Sequence, residues 1–307
     1  MFKRVCFLCV LGVVTIGFIS IGSAKEQDKL VIAVQPTSTA EELSAQAKEL
    51  ESFLKNRLGQ DVEIFFPTSY AGVVEALRFG HAHAAFMGAW PATMAQKHAG
   101  AQVILAEVRE VTIDQDKKEA PYYFSYWVVP ADSPYQTLRE LKGRKVAFPS
   151  PFSTSGYVAP LAKLVEAGLV KKKEGRADAK EFFNDVFFAS GYAQGFEALK
   201  TGQVDVTVIA GDVPEKLYRD VLNNTRILER QGPIPSHVVV VAQDIDVPLK
   251  DHLVKALMEL NASEHRELMR KFVSGIFVRF KPAGTEHLRS LEDMLEATGL
   301  EFQDKNK

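Results

Sequence analysis

The sequence predicts an α/β protein built from two similar lobes. Short apolar runs that suit buried parallel strands alternate with segments whose apolar residues recur at helical spacing. This alternation occurs twice along the chain, and 307 residues are more than one compact domain usually needs. Because ligands of open parallel sheets bind beyond the carboxyl ends of the strands, we expect a binding cleft between the two units.

The first unit opens with a strand followed by a helix. Leu30–Val34 is a continuous apolar run, and the helical pattern extends from Ala40 to Leu58. Ser38 with Glu41, or Thr39 with Glu42, offers a capping box at the helix start. The other predicted elements of this unit are strands at Val62–Phe66 and Ala84–Met87 and helices at Tyr70–Phe79 and Pro91–His98.

The second unit starts after an extended run at Tyr122–Val129. Its predicted strands are Lys145–Phe148, Asp185–Phe188 and Val204–Ile209, with helices at about Val158–Ala167 and Ala193–Lys200. A further strand at Val238–Val241 precedes three C-terminal helices, predicted at about Leu249–Asn261, Ser263–Ser274 and Glu286–Thr298.

The N-terminus has the layout of a secretory signal peptide. Lys3 and Arg4 precede an uncharged apolar stretch from Val5 to Ile21, and small residues follow up to Ala24. We expect cleavage after Ala24, which makes residues 1–24 a signal peptide and places the folded protein in the periplasm. The alternative is an uncleaved membrane anchor, since about 17 apolar residues is the lower limit for a spanning helix.

Charge and cysteine content exclude several classes of function. Cys6 and Cys9 both lie in the predicted signal peptide, so the mature chain would use neither disulfides nor thiolate chemistry. The formal net charge is −2, and about −4 without Lys3 and Arg4, which argues against a nucleic-acid partner. The basic run Lys171–Lys173 is interpreted as a solvated loop.

A hydroxyl-rich turn is the main candidate for a ligand site. Ser153, Thr154 and Ser155 lie between an apolar strand and a helical pattern, where hydroxyls and unpaired N–H groups suit a tetrahedral oxyanion. Pro160 fits only the first turn of a helix, so the regular helix should begin near residues 157–159, with the hydroxyl residues in the loop before it. The alternative is an ordinary N-cap among serine-rich neighbours.

Several further motifs follow one another along the chain. They comprise Tyr70–Arg78 with Gly88, Tyr122–Tyr126, Asp132-Ser133, Leu141–Ala147, Ser153–Tyr157 with Pro160 and Gly168, Gly202 with Val204-Asp205, and Pro233–Pro235. Together and in this order they resemble the phosphate, phosphite and phosphonate-binding proteins of ABC importers. The resemblance implies a two-lobed periplasmic binding fold of type II, joined by two crossover strands, that closes on its ligand and presents it to a membrane permease. On this basis lobe one comprises residues 29–128 plus 236–307 and lobe two residues 129–235. We expect a monomer without a cofactor or a metal.

The resemblance also implies ligand-binding residues. The anion-binding hydroxyls of the family correspond to Ser153, Thr154 and Ser155, its tyrosines to Tyr70 and Tyr123, and an acidic residue that faces ligand ammonium groups to Asp212. Read from the residues alone, either tyrosine also fits a core aromatic, and Asp212 also fits a helix cap before Pro214.

Three departures from the family pattern leave the ligand open. Tyr192 follows Ser190-Gly191 where the family often has histidine, His237 stands where an acidic residue is common, and Trp90 follows Gly88-Ala89. We include Tyr192, His237 and Trp90 in the predicted binding set, with core packing as the alternative for Trp90. The ligands considered are phosphate, phosphite, methylphosphonate, aminoethylphosphonate and a sulfur analogue.

Other chemistry finds weaker support in the sequence. Ser155 lacks the glycine pattern of a nucleophile elbow, so we predict no catalysed reaction. His81 and His83 could share a metal on an extended segment, but a third ligand is not evident. The alternative functions are a periplasmic ligand-binding partner of a signalling receptor and an extracytoplasmic enzyme acting on a phosphoester.

Overall fold

The computed structural model describes residues 29–35, 40–113 and 116–301. The predicted signal peptide and the capping residues Ser38 and Thr39 lie outside the described residues. Within the described ranges the chain forms two β-sheets with helices packed against them, so the predicted α/β class is confirmed.

The strands of the described residues are β1 Leu30–Val34, β2 Val62–Phe65, β3 Ala84–Met87, β4 Gln102–Ile113, β5 Asp116–Ala120, β6 Tyr122–Pro130, β7 Lys145–Phe148, β8 Asp185–Phe188, β9 Val206–Ala210, β10 Thr225–Pro235, β11 Val238–Val241 and β12 Phe277–Pro282. The helices are α1 Ala40–Leu58, α2 Tyr70–Arg78, α3 Ala89–Ala99, α4 Ala159–Glu166, α5 Tyr192–Lys200, α6 Glu215–Asn224, α7 Val247–Glu259, α8 Arg266–Phe272 and α9 Arg289–Thr298. Within these ranges no helix is both long and apolar enough to cross a bilayer.

The first sheet is covered by helices on both faces. Its strands lie in the order β12-β4-β11-β3-β1-β2, with β5 paired to β4. Along β1, Ile32 packs in one apolar cluster with α1, α7 and α8, while the adjacent Ala33 packs in another with α2 and α3. Burial on both faces explains the continuous apolar runs that predicted these strands.

The second sheet brings two loop segments to the same edge. Its order is β10-β6-β9-β7-β8, and β7 runs parallel to both β8 and β9. Phe148, the last residue of β7, lies opposite Phe188, the last residue of β8. The hydroxyl turn after β7 and the start of α5 after β8 therefore meet at the carboxyl ends of neighbouring strands.

The sheets divide the chain differently from the predicted lobe limits at two places. β6 hydrogen-bonds to β9 and β10, so the predicted boundary at residue 128 falls inside a strand of the second sheet. Helix α9, predicted in lobe one, packs against α4, and the Ala177 N–H donates to the Thr298 carbonyl at 2.7 Å. Sequence periodicity indicates which element forms, but not which sheet edge or helix it joins. Below, lobe one means the first sheet with its helices α1, α2, α3, α7 and α8, and lobe two means the second sheet with α4, α5, α6 and α9.

Candidate functional site

The hydroxyl residues lie inside a helical turn. Residues Thr154–Val158 form one turn of π-helix that continues into α4, and Ser153 is its N-cap. The Ser153 hydroxyl accepts a hydrogen bond from the Gly156 N–H at 3.0 Å. The sequence predicted these hydroxyls in a loop ahead of the helix, which is wrong for Thr154 and Ser155. Pro160 is nevertheless in the first turn of α4, as predicted.

Gly156 allows this turn to close against the chain that leaves β7. A Cβ atom at this position would lie 2.1 Å from Cγ of Pro149 and 2.8 Å from Oγ of Ser153. Both distances are shorter than any real contact, so only glycine fits here without a shift of the backbone.

Ser155 is the centre of a hydrogen-bonded group of side chains. Its hydroxyl accepts from the Tyr123 O–H at 3.1 Å and lies 2.7 Å from the Tyr192 hydroxyl. The Tyr192 hydroxyl is also hydrogen-bonded to Ser153. Tyr123 comes from β6 and Tyr192 is the first residue of α5, so three segments of lobe two converge on Ser155.

The facing part of lobe one is organised by Gln35, which follows β1. Its Oε1 atom accepts from the Gly88 N–H at 2.7 Å, and its side chain is hydrogen-bonded to the Tyr70 hydroxyl. A Cβ atom at Gly88 would lie 3.4 Å from Nε2 of His237, so the imidazole also adjoins this backbone. Gly88 is the N-cap of α3 and supplies no side-chain cap of its own, so any cap for the first N–H groups of the helix must come from elsewhere.

A hydrogen bond crosses from one lobe to the other. The Trp90 backbone N–H, in the first turn of α3, donates to Oγ1 of Thr154 at 3.3 Å. The Trp90 ring lies 6.3 Å from the Phe152 ring, between centroids. Only 4% of Trp90 is exposed, and its indole Nε1 has no hydrogen-bond partner among the described residues. The indole N–H is therefore a buried donor without an acceptor.

The three hydroxyl groups of the turn share one property. Ser153, Thr154 and Ser155 each accept a hydrogen bond from a protein donor: the Gly156 N–H, the Trp90 N–H and the Tyr123 O–H respectively. A hydroxyl carries one proton in addition to its acceptor lone pairs. Tyr192 bonds to both serines with a single proton, so at least one serine donates to it. The Thr154 proton and the other serine proton are oriented as donors, which suits a ligand made of acceptor oxygens.

A buried charged cluster lies beside the tyrosines. Arg109 on β4 binds Glu107 through Nε at 2.7 Å and Asp212, which follows β9, through Nη1 at 2.9 Å. The exposed side-chain fractions are 4% for Arg109, 1% for Glu107 and 11% for Asp212. Asp212 is therefore paired with Arg109 and does not cap α6, whose N-cap is Pro214.

Burial sets the protonation states of the site. It raises the pKa values of Tyr123 and Tyr192, and the Asp212 charge raises them further. Burial is also the largest cause of the raised pKa values of Asp212 and Glu107, although Arg109 opposes it. The pKa of His237 is held well below its usual value by burial and by the Arg109 charge. Near neutral pH the phenols are thus donors and the imidazole is uncharged.

The structure brings the nine predicted residues into two facing groups. Tyr70, Trp90 and His237 adjoin the start of α3 in lobe one, whereas Tyr123, Ser153, Thr154, Ser155, Tyr192 and Asp212 lie in lobe two. Tyr70 also contributes to the raised pKa of Tyr192.

Sequence reasoning missed Gln35, Glu107 and Arg109. Gln35 could have been identified from the sequence, because it is the first polar residue after the buried strand β1. The rule that ligand residues follow the carboxyl ends of parallel strands also identified the hydroxyl turn. The sequence gives no comparable indication for Glu107 and Arg109, because a charged residue in an extended segment normally faces solvent.

The described residues contain no group of three or more metal-binding side chains. Nδ1 of His83 accepts from the Val31 N–H at 3.0 Å, so this histidine joins β1 to the segment that precedes β3. The ring of His81 lies 6.5 Å from that of Phe79.

Replacing Gly156 with alanine should destabilise the turn. Because the new methyl group would overlap Pro149, we expect Gly156→Ala to lower the free energy of unfolding by about 1–3 kcal/mol, measured by urea denaturation. Gly275→Ala is the matched control, since a Cβ atom there meets nothing within 4 Å. Equal free energies of unfolding for Gly156→Ala and Gly275→Ala would contradict the predicted overlap with Pro149.

His237 should make stability depend on pH. Below pH 6.5 the unfolded chain protonates this histidine while the folded chain keeps it neutral, so stability falls as the pH falls, by up to about 1.4 kcal/mol per pH unit. His237→Gln should therefore lose less stability than the unmodified protein between about pH 7 and pH 5, in urea titrations. The same replacement at the exposed His252 is the control, and a His237→Gln profile that parallels the unmodified protein would contradict the argument.

Comparisons with known proteins identify the family of the chain. Residues 32–288 match the family model described as the phosphonate periplasmic substrate-binding protein of ABC transporters. The phosphate-import protein PhnD of Mycolicibacterium smegmatis is 31% identical over 179 residues, 58% of this chain and 54% of its own length. The phosphonates-binding periplasmic protein of Escherichia coli is 26% identical over 243 residues, 76% of this chain and 67% of its own length.

Solved structures share the fold at low sequence identity. The crystal structure of a binding protein component of an ABC phosphonate transporter from Pseudomonas aeruginosa superposes with a TM-score of 0.67 at 19% identity, covering 87% of this chain and 86% of that one. The family is a transport family and not an enzyme family. Since the family model spans most of the sequence, the chain belongs to the phosphonate-binding family of periplasmic ABC transporter substrate-binding proteins.

Proposed function

We propose that this protein is the substrate-binding component of an ABC importer and binds a small phosphorus oxyanion of the phosphate, phosphite or phosphonate type. The ligand lies between the hydroxyl turn of lobe two and the start of α3 in lobe one. The lobes close around it by a hinge motion and present it to a membrane permease. The protein acts as a monomer in the periplasm after removal of residues 1–24, and a mature N-terminus at Lys25 in the exported protein would support this processing.

One observation carries the proposal. The three hydroxyls of the turn already accept protein hydrogen bonds, so the Thr154 proton and the serine proton that Tyr192 does not accept are left to bind a ligand. Opposite them, α3 begins at a glycine without a side-chain cap, and the buried indole N–H of Trp90 lacks an acceptor among the described residues. A set of neutral donors at a helix start favours an anion rich in acceptor oxygens.

The names of the relatives point to the same ligand class. One is named a phosphate-import protein and the other a phosphonates-binding protein. The hydroxyl and phenol groups are directional hydrogen-bonding groups, and the neighbouring Arg109 is already bound to Glu107 and Asp212. This arrangement favours recognition by geometry over simple charge attraction. No observation favours the signalling or phosphoester alternatives.

Titration calorimetry tests the proposal. Residues 25–307, refolded free of carried-over ligand, should bind at least one of phosphate, phosphite and methylphosphonate, and bind sulfate more weakly. Thr154→Val removes a donor and the acceptor of the cross-lobe bond, so we expect about a tenfold or larger loss of affinity. Thr201→Val, at an exposed site far along the chain at the end of α5, is the control. Silence toward all three phosphorus oxyanions would refute the function, and unchanged affinity of Thr154→Val would refute the assigned site.

A further inference from the structure

Tyr192 connects the two serines of the hydroxyl turn through a single phenol proton. Its hydroxyl lies 2.7 Å from Oγ of Ser155, where either group can be the donor, and it is also hydrogen-bonded to Ser153. Ser155 accepts from the Tyr123 O–H at 3.1 Å, and Ser153 accepts from the Gly156 N–H at 3.0 Å. The two serines and Tyr192 therefore own three protons, and the two bonds among them use two of these.

The bonds to Tyr192 can run in different directions with one common result. If Ser155 donates to Tyr192, the phenol donates to Ser153, and the Ser153 proton is left for a ligand. If Ser153 donates to Tyr192, the Ser155 proton is left instead. If the phenol accepts from both serines, its own proton is left. In every case the group offers a ligand one proton, and at least one serine has given its proton to Tyr192.

The serine that donates to Tyr192 can only accept from a ligand. Its oxygen has two lone pairs, and the protein fills one of them, with the Tyr123 O–H at Ser155 or the Gly156 N–H at Ser153. Ser155 is 6% exposed, and closure of the lobes on a ligand excludes water from the cleft. A fully ionised oxyanion would leave the other lone pair without a donor, whereas an oxyanion that carries an acidic proton fills it.

The ionisable groups around Tyr192 do not alter this proton count near neutral pH. They are two further phenols, an imidazole and a buried ion cluster, namely Tyr70, Tyr123, His237, Glu107, Arg109 and Asp212. Burial raises the pKa values of all three phenols, and the imidazole pKa is held well below its usual value. The arginine binds both carboxylates, at 2.7 and 2.9 Å. When a small phosphonate loses its second proton, we therefore expect the phenols and the imidazole to keep their charge states.

We propose that the cleft selects oxyanions that carry an acidic proton over fully ionised ones, and that Tyr192 determines this preference by making one serine an acceptor. This inference rests on the proposed function and narrows its ligand class. Tyr192 acts through the serines as a positioning residue. Phosphate keeps an acidic proton throughout the neutral range, phosphite and methylphosphonate lose theirs at the second ionisation, and sulfate has none.

Titration calorimetry on the unmodified mature protein tests the preference. At neutral pH we expect phosphate to bind about tenfold or more tightly than sulfate, because sulfate leaves the serine acceptor unpaired. Between about pH 6 and pH 9 the affinity for methylphosphonate and phosphite should fall by about tenfold or more as these ligands lose their acidic proton. Attraction by charge alone predicts the opposite trend, since both ligands become more negative.

The outcomes separate this inference from the proposed function. Sulfate that binds as tightly as phosphate, or an affinity for methylphosphonate and phosphite that stays constant or rises with pH, would overturn the preference and leave the proposed function intact. If phosphate alone binds, the sulfate comparison decides, and if phosphate does not bind, the pH series decides. Absence of binding by all three phosphorus oxyanions at every pH would overturn both.

Tyr192→Phe tests the role of the phenol directly. Without its hydroxyl neither serine gives up a proton, so both serines can donate to a ligand. The affinity ratio of phosphate to sulfate should shrink by about tenfold, and the pH dependence of methylphosphonate binding should flatten. Tyr135→Phe, at a half-buried tyrosine of lobe two outside the site, is the matched control and should keep both.

Circular dichroism verifies the folding of both phenylalanine variants. An unchanged affinity ratio and an unchanged pH dependence in folded Tyr192→Phe would contradict the role of Tyr192. If that variant does not fold, the ligand comparisons on the unmodified protein still decide whether the preference exists.

Discussion

The hydrogen bond from the Trp90 backbone N–H to the Thr154 hydroxyl joins the two lobes at the site, and much of the site's chemistry depends on it. Thr154 can accept this bond only because it lies in a helical turn that faces the start of α3. Since its oxygen accepts from lobe one, its proton remains for a ligand. The same bond that crosses between the lobes thus leaves a donor for the proposed ligand, and the Tyr123–Ser155–Tyr192 group holds that turn in place.

The charged groups of the site are paired with each other, whereas neutral hydrogen-bonding groups remain for a ligand. The buried arginine of the site is held by two carboxylates, so its charge is balanced within the protein. On the proposed function a ligand meets only neutral groups, namely the turn hydroxyls, the Tyr192 phenol, an uncharged imidazole and the start of α3. Neutral donors bind at defined angles and distances, which lets a cleft distinguish tetrahedral anions that carry the same charge.

The sequence was sufficient for most of the elements and for the hydroxyl turn. Buried parallel strands such as β1 and β7 carry continuous apolar runs, and a hydroxyl cluster after such a run must lie at the ligand edge of the sheet. Strands β4, β5, β10 and β12 and helix α6 were not predicted. In β4, Glu107 and Arg109 interrupt the apolar pattern, and Arg109 pairs with Asp212, which is 103 residues away. The sheet that β6 joins and the lobe that α9 covers also depend on tertiary contacts, which local patterns do not encode.

The most direct test of the site is a crystal structure of the mature protein with the phosphorus oxyanion that it binds most tightly. We expect the ligand oxygens within hydrogen-bond distance of the Ser153, Thr154 and Ser155 hydroxyls and of donors at the start of α3, with Arg109 still bound to Asp212. A ligand held elsewhere, or one bonded directly to the Arg109 guanidinium after it has left Asp212, would contradict the site described above.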